Sequence, residues 1–230
     1  MRRRIYLMRH GDVAYFADSA RRLEPEEVVL TATGHEQALQ AGRALAEVRF
    51  DRVITSGLER TMQTARTVLS QNKRRAPELA LEVWPELQEL RSGEVSEIPD
   101  DELEESFLGP FRGTPPPTAA YLRGETVGSL VARVVAAMAR VFADPGWDTI
   151  LLVLHGGVNR AILSWALAGP TQLFAQFEQS PGAINIVDGE PGQFVVRAVN
   201  LTPYDVLHSG PRTTTVEVIL DEYRAFRKAL

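Results

Sequence analysis

Two stretches of this chain, IYLMRHG at residues 5–11 and ILLVLHGG at residues 150–157, are apolar at nearly every position until each stops at a histidine followed by glycine. A strand with one wet face alternates polar and apolar side chains. One that does not alternate is covered on both sides, as in a parallel sheet held between two helical layers. The intervening sequence supplies the covering helices. Ala38, Leu39, Gly42, Leu45 and Ala46 recur at helical spacing, residues 58–70 place Met62, Ala65 and Leu69 on one side, and residues 126–143 run helically until Asp144-Pro145-Gly146 stops them. Further helices are expected from Gly156 to about Ala168 and over residues 216–230, the latter an amphipathic segment whose expected purpose is ordinary docking.

Short strands are expected at residues 51–55 and 79–84. Two β-like runs, 183–187 and 194–201, flank Asp188-Gly189-Glu190-Pro191-Gly192 and read as an antiparallel hairpin at the sheet edge. Strands alternating with helices give an α/β fold: a three-layer α/β/α sandwich whose sheet is mostly parallel with an antiparallel edge strand. The 230 residues, 44% of them hydrophobic, suffice for one full core and are expected to form a single domain over 1–230. Residues 12–29 show weak periodicity and read as a loop beside the site. Between Glu94 and Glu105 stand seven acidic residues, followed by Gly109-Pro110 and three successive prolines at 115–117. Such a segment lacks the apolar content to form core, so 91–123 is expected to lie over the surface as a lid-like insertion, with an exposed helix beginning near Asp100.

In open α/β sheets, ligands bind beyond the carboxyl ends of the strands. Three strand-to-helix turns present polar groups there: Arg9 and His10 in the first, Ser56 with Arg60 one helical turn on in the second, and His155 before Gly156-Gly157 in the third. Each residue alone has an ordinary explanation; Arg60, for instance, could pair with Glu59 on a helix surface. Three cation-bearing turns at equivalent strand ends are hard to explain as packing. Together with the helix N-termini that follow, they describe a pocket for a compact dianion.

The strings LMRHG at residues 7–11, LTATGHEQA at 30–38, TSGLERTMQTA at 55–65, GETVGSLVARV at 124–134 and LVLHGGVNRAIL at 152–163 resemble, in order, the motifs of the histidine phosphatase superfamily, the phosphoglycerate mutase-like family. The resemblance implies that His10 is the nucleophile that becomes phosphorylated and that Arg9, Arg60 and His155 bind the phosphoryl oxygens. It also implies a general acid in the segment ELQELRSG, where Glu89 aligns, with Glu86 and Glu94 as alternates. Chemistry supports the assignment, because phosphoryl transfer needs fixed donors around three charged oxygens and an in-line nucleophile. The sequence departs from the family after RHG, where Tyr15 could replace a missing polar contact. It departs again after the acid, where Arg91 and Arg112 are the candidates for gripping a substrate carboxylate.

The leading expectation is a metal-independent phosphomonoesterase working through a phosphohistidine on a small phosphorylated substrate, with no cofactor. A phosphoglycerate mutase-type phosphoryl transfer and a low-turnover phosphate-binding module are the alternatives. With four histidines, no cysteine and no metal-binding string, a dedicated metal site is not expected. A net charge of −5 and pI near 5.5 argue against a nucleic-acid partner. No apolar run approaches the roughly 18 residues of a membrane span. The expected setting is the cytoplasm, and the expected partners are the substrate and, if any, a second copy in a homodimer.

Overall fold

The computed structural model describes residues 2–17, 21–169, 171–190 and 192–229. Its central sheet has six strands: β1 (Arg3–Arg9), the short β4 (Arg52–Thr55) and β5 (Leu81–Val83), β6 (Thr149–Leu154), β7 (Ile184–Glu190) and β8 (Gln193–Leu201). The spatial order is β5-β4-β6-β1-β7-β8. The first four run parallel, while β7 lies antiparallel to β1 and β8 antiparallel to β7. The covered, non-alternating strands β1 and β6 are adjacent at the middle of the sheet, pairing Ile5 with Ile150 through Arg9 with Leu154.

Side chains of β6 divide between two layers. Ile150, Leu152 and Leu154 pack with α4 (Val127–Ala143) and α5 (Gly156–Leu167), whereas Leu151 and Val153 pack with α1 (Ala32–Ala44) and α2 (Glu59–Ser70). Each fully buried aliphatic of this kind contributes about 1.5–3 kcal/mol relative to exposure. The α/β/α sandwich is therefore present as the sequence suggests. Thr31 opens α1, its hydroxyl accepting from Gly34 N at 3.0 Å, and Thr126 opens α4 by accepting from Ser129 N at 3.2 Å. The first turn after β1 presses backbone to backbone on α1: a Cβ on Gly11 would stand 2.4 Å from the Gly34 carbonyl oxygen.

Three expectations need correction. Residues 12–29 are not all loop, because β2 (Phe16–Ala17) and β3 (Arg21–Arg22) pair as a small ribbon; residues 18–20 lie outside the described part. The insertion is not coreless. Its helix α3 (Asp100–Leu108) and flanking turns bury Val95, Ile98, Leu103, Phe107, Leu108 and Leu122 against Leu220 and Tyr223 of α6 (Thr215–Ala229). Three acidic residues of α3 pair with cations: Glu104 with both Arg112 and Arg224, Asp100 with Arg227 and Glu102 with Arg123. Finally, α6 does more than dock, since it supplies one wall of the cavity described next. The expected hairpin is β7–β8, with strand pairing carried further than foreseen, to Glu190 and Gln193; Pro191, like Leu230, lies outside the described residues.

Candidate active site

The carboxyl ends of β1, β4 and β6 are neighbours in the sheet, so the turns that follow them meet. Their side chains form one buried cluster. The His10 and His155 rings stand edge to face with centroids 5.2 Å apart. Arg9 and Arg60 are only 6% and 4% exposed, and both guanidiniums raise the potential at the two imidazoles. Arg60 does not pair with Glu59, whose partner is Arg66; it turns inward and donates to the carbonyl of Pro25 at 2.8 Å.

His10 Nδ1 lies 2.7 Å from the carbonyl oxygen of Gly11. A carbonyl only accepts, so Nδ1 carries the proton and the lone pair is left on Nε2. Burial above all, and then the cations of Arg60 and Arg9, hold His10 well below the ordinary histidine value, so the ring is neutral at neutral pH. His155 is depressed in the same way, burial first. Its Nε2 meets Ser56 Oγ at 2.8 Å. Thr61, 3.1 Å from Ser56 Oγ, spends its only proton on the Leu58 carbonyl at 2.7 Å.

Three buried side-chain polar atoms have no partner among the described residues: Arg9 Nε, Arg60 Nε and His155 Nδ1. Buried polar atoms are nearly always satisfied, and here every orphan among the described residues belongs to one cluster around His10. That pattern marks a place shaped for an anion's oxygens.

Glu89 stands on the same cavity. Its Oε2 accepts from Gly157 N, in the first turn of α5, at 3.0 Å, and its Oε1 accepts from Leu90 N at 2.9 Å. The alternates are elsewhere: Glu86 pairs with Arg140 on the outside, and Glu94 is exposed and does not line the cavity. Tyr15 lines the cavity near Arg60. Arg91 lies exposed on the rim, and Arg112 is absent from the lining and bound to Glu104.

Sequence reasoning missed the group that holds Arg9. Its Nη1 donates to the Gln179 carbonyl at 2.5 Å and to Thr215 Oγ1 at 2.9 Å. The Thr215 hydroxyl in turn donates to Glu178 Oε1 at 2.8 Å, while Glu178 Oε2 receives Arg160 Nη2 at 2.9 Å. Arg160 was visible within LVLHGGVNRAIL, but nothing in the sequence near residues 178 or 215 signals a partner for residue 9.

A parallel sheet with two imidazoles and two guanidiniums at its strand ends defines an α/β enzyme that handles a phosphoryl group. The sequence model of the histidine phosphatase superfamily (branch 1) matches residues 5–202, and the chain belongs to that superfamily. Among curated relatives, "Probable phosphoglycerate mutase GpmB" of Salmonella paratyphi A is 29% identical over 208 residues, covering 89% of this chain and 94% of its own. The adenosylcobalamin/alpha-ribazole phosphatase of Escherichia coli K12 is 27% identical over 207 residues, covering 86% and 95%. Among solved structures, the alpha-ribazole phosphatase of Shigella flexneri superposes with a TM-score of 0.68 at 27% identity, covering 86% of this chain and 96% of that one. A mycobacterial glucosyl-3-phosphoglycerate phosphatase, at 21% identity, shares the fold with a TM-score of 0.71 over 87% of this chain and 99% of its own. Membership and phosphatase relatives support hydrolysis of a small phosphorylated substrate. No helix among the described residues is long and apolar enough to cross a membrane.

Proposed function

We propose that the protein is a metal-independent phosphomonoesterase in which His10 is the phosphorylated nucleophile, Arg9, Arg60 and His155 hold the phosphoryl oxygens, and Glu89 moves the proton. The observation that carries this reading is the set of orphaned polar atoms on Arg9, Arg60 and His155 surrounding a neutral His10. Nε2 of His10 attacks phosphorus as the ester P–O bond breaks, and the departing alkoxide takes a proton from Glu89. Water then attacks the phosphohistidine, giving its proton to the Glu89 carboxylate, and the P–N bond breaks to release phosphate. The two arginines supply forks matched to developing oxygen charge, and their burial keeps that charge poorly screened.

Return of the phosphoryl group to a phosphoglycerate, the reading favoured by the GpmB relatives, would need a cationic grip on the substrate carboxylate. Arg112 is occupied by Glu104 and Arg91 stands exposed on the rim, so hydrolysis is the better supported outcome.

The decisive experiment quenches the enzyme during turnover of a radiolabelled phosphate ester. Label retained in alkali, lost in acid and mapped to the His10 peptide is expected, with turnover unchanged by a chelator. Full turnover in His10→Ala would overturn the mechanism.

A further inference from the structure

Arg9, Arg60 and Glu89 line one end of a cavity of about 340 Å³, within the range of small-molecule sites. Its other wall is a chain of aromatic rings drawn from three separate segments. Phe16 of β2 lies 5.9 Å from Tyr223 of α6, Tyr223 lies 5.7 Å from Phe107, Phe107 lies 6.0 Å from Tyr121, and Tyr121 lies 5.7 Å from Phe111, centroid to centroid. All five line the cavity. Tyr223 commits its hydroxyl to the Val95 carbonyl at 3.3 Å, so it offers the cavity its ring. Val216 and Ile219 of α6 continue the apolar surface.

The charges on this side are already answered or stand in water. Arg160 is held by Glu178 at 2.9 Å and lies 5.4 Å over the Phe111 ring, while Glu26 and Arg91 are exposed. A leaving group bearing its own carboxylate or phosphate would therefore have to desolvate that charge against aromatic carbon without a free buried cation to receive it.

Building on the phosphomonoesterase reading, we propose that the substrates are phosphate monoesters of uncharged alcohols bearing an aromatic or extended apolar group, which the Phe16–Tyr223–Phe107–Tyr121–Phe111 wall receives while the phosphate sits at Arg9 and Arg60. The wall acts on the leaving group and the cluster around His10 on the phosphate, so the two ends can be tested apart.

The test compares primary alkyl phosphates of matched leaving-group chemistry: ethyl phosphate, 2-phenylethyl phosphate and 3-phosphoglycerate. The kcat/KM for 2-phenylethyl phosphate should exceed that for each of the other two by about tenfold or more, in line with what an apolar pocket discriminates. In Phe111→Ala, and separately in Phe16→Ala, the ratio of 2-phenylethyl to ethyl phosphate should fall several-fold; a ratio is insensitive to a fraction of misfolded enzyme. Equal or better use of 3-phosphoglycerate, or a wild-type ratio near one, would overturn the substrate class while leaving the phosphatase reading standing. No hydrolysis of any of the three esters, with no label on His10, would overturn both.

Discussion

Glu89 Oε2 and the backbone N–H of Gly157 are 3.0 Å apart, so the carboxyl group proposed to move the proton is seated on the first turn of the helix that follows His155. The seat exists because residue 157 has no side chain: a Cβ there would stand 2.5 Å from Glu89 Oε1. Gly157→Ala should leave the fold intact and push Glu89 aside. A misplacement of about 1 Å is enough to cost on the order of 100-fold, so kcat for an alkyl phosphate should drop by that order. An aryl phosphate with a good leaving group needs less help from an acid and should suffer less. Equal losses on both esters would argue against Glu89 as the acid.

Arg60 tests the need for a fork. Lysine keeps the charge but has one point of contact where the guanidinium has several donors, and its Nε-equivalent orphan cannot be reproduced. Arg60→Lys should lower kcat/KM by about 100- to 1000-fold, the cost of losing one donor to a developing oxyanion. Steady-state kinetics would show it, and a loss below threefold would remove Arg60 from the phosphate site.

Buried neutral imidazoles make stability depend on pH with a definite sign. His10 and His155 are both held below the ordinary value, so over the window that begins at about pH 6.5 and runs down to their folded-state values the unfolded chain binds more protons. Stability contributed by keeping them neutral is whole above that window and is lost as pH falls through it. Tm of the unliganded protein should therefore drop more steeply from pH 6.5 to 5 than that of His10→Asn. Parallel curves would mean that His10 is not depressed.

The second core makes its own prediction. Leu220 of α6 is buried against the insertion, and Leu220→Ala should cost about 2–5 kcal/mol of stability as cavity-forming substitutions do. Denaturant unfolding measures it. If 91–123 were a loose surface cover, the same substitution would be nearly silent.

What could be read from the chain beforehand follows from how far each interaction reaches. Arg9, His10, Ser56, Arg60 and His155 were legible because a strand end, a glycine and a helix start are written within a few consecutive residues, and the sheet does the rest. Glu89 was legible only through family resemblance, since its partner Gly157 is 68 positions away. The insertion misled because Val95, Ile98, Leu103, Phe107, Leu108 and Leu122 are scattered among acids and prolines and are closed over by apolar partners in α6, about a hundred residues on. Nor does anything local announce that the amphipathic face of α6 would present Val216, Ile219 and Tyr223 to a cavity.

Arg9 leans on the hydroxyl of Thr215, 206 positions further along. During synthesis Arg9 emerges 206 residues ahead of Thr215, so the guanidinium beside His10 waits for that much of the polypeptide before it is braced. A nascent chain should stay catalytically silent on the ribosome until that late helix has arrived and docked.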